Sequence, residues 1–71
     1  MTDDELKVLR KKASAKKRIA TEWASKIHDV VEDSLWSDYN TLPELAQEAV
    51  AACEAWKVAE AEYDNASKAV Q

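Results

Sequence analysis

The chain contains no glycine. That absence removes the two-residue turns that join paired strands, the left-handed caps that often end helices, and the glycine loops that cradle phosphates. Phenylalanine is also missing, and proline, cysteine and histidine occur once each, as Pro43, Cys53 and His28. A single cysteine excludes an internal disulfide, and Cys53, set beside alanines, reads as a small apolar filler in a reducing compartment. With no paired-cysteine zinc spacing and no nucleophile elbow either, the common enzyme constellations are lacking. The expectation is therefore a protein that is not an enzyme and holds no cofactor. No apolar run approaches the ~20 residues of a membrane span, and Thr2, Asp3, Asp4 and Glu5 stand where a secretory signal would be basic and then apolar. A cytoplasmic protein that does not enter the membrane is expected.

What remains is helix. A glycine-free chain with 46% hydrophobic and 34% charged residues has the composition of long helices rather than of sheet or disorder. From Pro43 onward, Leu45, Ala49, Ala52, Trp56, Ala59, Tyr63, Ala66 and Val70 recur at alternating steps of four and three, which places them on one side of a helix. A sustained repeat of that period is a seam for another helix. In the first half, Leu6, Leu9, Ala13, Lys16, Ala20, Trp23, Ile27 and Val30 keep the same spacing, with Ile19, Ala24 and Val31 widening the stripe. Only Lys16 breaks it, and its methylenes can lie along apolar surface with the ammonium lifted out, near Glu60 if the hairpin turns around residue 38.

Local signals mark the helix ends. Thr2-Asp3-Asp4-Glu5 has the form of a capping box, and Thr41 to Glu44 repeats it, with Pro43 in a first turn where its missing amide hydrogen loses no partner. Between them Glu32, Asp33, Ser34, Ser37, Asp38 and Asn40 favour turns over helix interiors. The spacing predicts an all-α single domain: a helix over about 3–34, a turn over about 35–41 and a helix over about 42–69, forming an antiparallel hairpin. Such a hairpin leaves Ile19, Val31, Val50 and Val58 in water, so a homodimer closing into a four-helix bundle is expected. Burying one Trp or Leu between subunits stabilises by roughly 1.5–3 kcal/mol, which a lone hairpin of 71 residues can ill spare.

Three groups of residues are candidates for function. Trp36 and Tyr39 lie beyond the regular stripe, in the turn, where aromatic side chains either plug the end of a bundle or form an interaction patch; with Glu32, Asp33 and Asp38 they are the candidate partner-binding residues. His28, Asp29 and Glu32 are the candidate metal ligands, since a histidine and a glutamate four apart project from the same side of a helix. Bundle proteins that hold two iron atoms place a glutamate three residues before the histidine, and here that residue is Ser25. The expectation is that His28 is structural and that no metal is held. Lastly, Lys7, Arg10, Lys11, Lys12, Lys16, Lys17 and Arg18 hold seven of the ten basic residues of a chain whose net charge is -4. Folding back sets this block beside the acidic second half, so internal neutralisation is expected and nucleic acid is not the expected partner.

Taken in order, Glu5-Leu6-Lys7, the lysine-rich first helix, Ile27-His28-Asp29-Val30-Val31-Glu32-Asp33, the acidic and aromatic turn, and Pro43-Glu44-Leu45-Ala46 resemble a small family of Rop-like proteins encoded in nitrogen-fixation gene clusters. The resemblance covers nearly the whole chain. Such proteins usually follow leucine with proline in the turn, whereas Leu35 is followed here by Trp36. The resemblance implies a rod-like dimer of helical hairpins with an accessory role in nitrogen fixation, docking on a nitrogenase component or on a protein that matures its metal cofactors. It carries over no catalytic or ligand residue, although His28 and Asp29 match its motif. Likeness to the RNA-binding protein Rop concerns architecture and implies no RNA binding. Two alternatives stand beside this expectation: a metal-handling bundle using His28 and its neighbouring carboxylates, and an RNA-binding bundle using the basic block.

Overall fold

The computed structural model describes residues 2–70, with the side chain of Val70, the last position of the expected stripe, outside the description. Helix α1 spans Asp3–Asp33, a single turn α2 spans Leu35–Asp38, a 3-10 turn spans Tyr39–Thr41, and α3 spans Leu42–Val70. The two long helices have 31 and 29 residues and lie against one another in a rod measuring 52 × 15 × 12 Å. At 1.5 Å per residue the longer of them runs about 46 Å, so the helices set the length of the molecule.

Helix α1 begins at a real cap. The Glu5 amide donates to Thr2 Oγ1 at 3.2 Å, and Asp3, Asp4 and Glu5 place negative charge at the positive end of the helix dipole. It ends without glycine. Ser34, at φ -140° and ψ 26°, lies outside helical geometry, as does Asp38 at φ -115° and ψ 9°, and the Ser34 amide donates to the Val30 carbonyl at 3.0 Å. The Ser34 carbonyl then accepts from the Ser37 amide at 3.2 Å, the Asp38 amide at 2.8 Å and the Ser37 hydroxyl at 3.3 Å. That one carbonyl restarts the helix in a new direction.

The connection occupies residues 35–41 and is built from the α2 turn and the 3-10 turn. One expectation is corrected: the capping box expected at Thr41 to Glu44 does not form, because the Thr41 hydroxyl donates back to the Asp38 carbonyl at 2.7 Å. A residue already inside a 3-10 turn has no free amide ahead of it to cap.

The seam is built from small side chains. Ala13, Ala59 and Ala66 are buried, at 4%, 2% and 7% exposure, while Leu6, Leu9, Lys16, Ala20, Trp23, Ile27 and Val30 on α1 and Leu45, Ala49, Ala52, Trp56 and Tyr63 on α3 are half-buried. Alanines let the two backbones come close, and the larger members of the stripe splay to the sides of that contact. Beyond the seam Ile19, Val31, Val50 and Val58 are exposed, joined by Val8.

The pairing of charges across the seam also differs from expectation. The pair that forms is Lys12 Nζ to Glu62 Oε2 at 3.6 Å, not Lys16 to Glu60. Lys16 lies in the stripe itself, whereas Glu60 lines the opposite edge of the seam together with Arg10 and Lys17. Among the described residues Lys12 is the one member of the basic block in an ion pair, so folding back neutralises little of that block.

Candidate functional site

The end of the rod at the connection collects the residues singled out for partner binding. Trp36 is 91% exposed and Tyr39 62% exposed, and Glu32, Asp33 and Asp38 are exposed around them. Trp36 and Tyr39 therefore do not plug the end of the hairpin. Leu35 and Leu42, at the two shoulders of the connection, are half-buried. Leu42 continues the four-and-three spacing back from Leu45, whereas Leu35 falls outside the stripe of the first helix, so spacing alone does not pair them.

The same end breaks a rule of helix electrostatics. The last turn of α1 holds no basic residue, while Asp29, Glu32 and Asp33 gather at its negative end. Carboxylates there cost roughly 0.3–1 kcal/mol each when exposed. His28 lies among them, with Nε2 2.9 Å from Glu32 Oε2 and Nδ1 3.9 Å from Asp29 Oδ1. The histidine is thus held between two carboxylates of its own helix, and all three side chains lie largely in solvent. Among the described residues no group of three or more His, Cys, Asp or Glu side chains is placed to hold a metal ion.

The basic block lies at the other end of the rod. Lys7, Arg10, Lys11, Ser14 and Arg18 line an open trough along the outward side of α1. No helix among the described residues is long and apolar enough to cross a membrane.

The two ends of the rod thus differ: an aromatic pair with exposed carboxylates near it in the chain at one, and a cationic ridge at the other. Neither the curated proteins nor the solved structures contain a match to the chain. A family model described as Rop-like matches residues 4–68, which takes in both helices and the connection. On that match, and with the hairpin architecture described above, the chain belongs to the Rop-like family.

Proposed function

We propose that the chain is a non-enzymatic interaction protein, a homodimer of hairpins closed into a four-helix bundle. The observation that carries this is its surface. The hairpin exposes 5522 Å², whereas the area–mass relation gives roughly 4,450 Å² for a compact protein of this size. The excess, roughly 1,100 Å², is of the order that each partner buries in a stable interface, roughly 800 Å². Exposed apolar side chains contribute to it, among them Val8, Val31, Val50 and Val58.

The tip is the second contact surface. Exposing a tryptophan at 91% forgoes the gain of burying it, and a bare indole beside Tyr39, with Glu32, Asp33 and Asp38 around the pair, has the make-up of a binding hot spot. A partner suited to it offers an apolar pocket with basic residues at its margin. The resemblance to proteins of nitrogen-fixation gene clusters supplies the setting: a cytoplasmic accessory role, with docking on a nitrogenase component or a cofactor-maturation protein.

The Trp36→Ala, Tyr39→Ala double variant tests this reading. Untagged protein from nitrogen-fixing cells is expected to capture a defined partner, and the double variant to lose it while keeping its helicity and sedimenting mass. Full capture by that variant would move the binding surface to the helix faces. A capture that instead falls steeply with salt and depends on Lys7, Lys11 and Arg18 would point to phosphate contacts along α1.

A further inference from the structure

The two edges of the seam are not alike. On one edge the Lys12–Glu62 pair spans the helices at 3.6 Å, and Lys26 lies over the ring of Trp23 with Nζ 4.2 Å from its centroid. Lys12, Ile19 and Lys26 recur every seven residues, so long side chains screen that edge along much of α1. The other edge is open. There Ala20, Thr21, Ala24, Cys53 and Trp56 line a groove between the helices, with Lys17 at its margin, which continues over α3 past Ala49 and Val50 between the stems of Glu54 and Lys57. Thr21 adds little polarity, because its hydroxyl donates back to the Lys17 carbonyl at 3.1 Å.

We infer that the open edge at Ala24, Cys53 and Trp56 is the face on which a second copy of the chain seats, and that the edge carrying Lys12, Lys26 and Glu62 stays in solvent. The groove lies near mid-rod, where a two-fold axis brings identical residues together. Charge favours a copy of the same chain turned end for end. Residues 21–53, the half nearest the connection, hold seven carboxylates against Lys26 alone, and nine of the ten cationic side chains lie in the other half. The other half also holds seven carboxylates, so the halves carry net charges of -6 (seven acidic, one basic) and +2 (seven acidic, nine basic); reversal sets unlike halves together, whereas parallel packing sets -6 beside -6. The proposal builds on the dimer proposed above and adds which edge forms it.

Cys53 is exposed in the hairpin and is the only thiol, so the native protein carries its own reporter. The experiment is the rate of maleimide labelling across a dilution series, with sedimentation run on the same samples. Labelling of Cys53 is expected to slow at least about tenfold as the mass doubles. In the Cys53→Ala, Ala55→Cys double variant the thiol lies two turns before Glu62, on the screened edge, and its rate is expected to change less than about twofold. Protection of position 55 with free reaction of Cys53, or equal rates at both in a protein of doubled mass, overturns the choice of edge. A single-chain mass at every concentration overturns the dimer itself. As a second variant, Ala24→Glu should return the protein to single-chain mass with its helicity kept, while Ala55→Glu should not; the reverse pattern contradicts the assignment.

Discussion

The seam and the tip of this hairpin treat side-chain size in opposite ways. In the seam, Ala59 is 2% exposed and no large side chain among the described residues is fully buried; at the tip, Trp36 is 91% exposed. Two helices alone make one line of close contact, and only small residues fit beneath it. Larger apolar groups are left half-covered at the sides or bare at the end, where a second layer is needed to bury them. The contrast therefore separates what the hairpin supplies for itself, which is backbone proximity, from what the proposed second chain would supply.

The sharpest way to break this contrast is at Trp56, which is half-buried and lines the open groove. Trp56→Ala is expected to cost about 3–5 kcal/mol in urea unfolding if a second hairpin completes its burial, and much less if none does. Ala59→Leu acts on the hairpin's own seam. Overpacking there is expected to cost about 1–3 kcal/mol at high and low protein concentration alike, because the contact lies within one chain. Equal concentration dependence for the two variants would show that seam and flank are not distinct.

The smallest effect belongs to the Lys12–Glu62 pair, whose side chains are half-exposed at 50% and 45%. A double-mutant cycle with alanine at both positions is expected to give a coupling of about 0.2–1 kcal/mol that fades as salt is raised. A larger, salt-resistant coupling would mean that this edge is covered by another chain.

The stripes were legible because their information is local. A period of alternating fours and threes needs no knowledge of the partner helix, and each described stripe residue from Leu6 to Ala66 is buried or half-buried. The connection was harder to read. Ser34, Ser37, Asp38 and Asn40 carry the composition of a loop, but the Ser34 carbonyl, with three donors upon it, makes the segment helical. Nothing in the residue types alone distinguishes that outcome from an open turn. Ion pairing depended on register as well as period, so Glu60 could be placed near the seam but not on its correct edge. Likewise, the exposure of Trp36 follows from where the restarted helix points, which composition does not encode.

The most direct test of the claim that the hairpin's flanks require a second chain is its mass in solution. Sedimentation equilibrium at low micromolar concentration is expected to give about twice the 8.0 kDa chain mass. A fully helical, stable protein of single-chain mass at that concentration would contradict the claim and leave the exposed valines without a structural purpose.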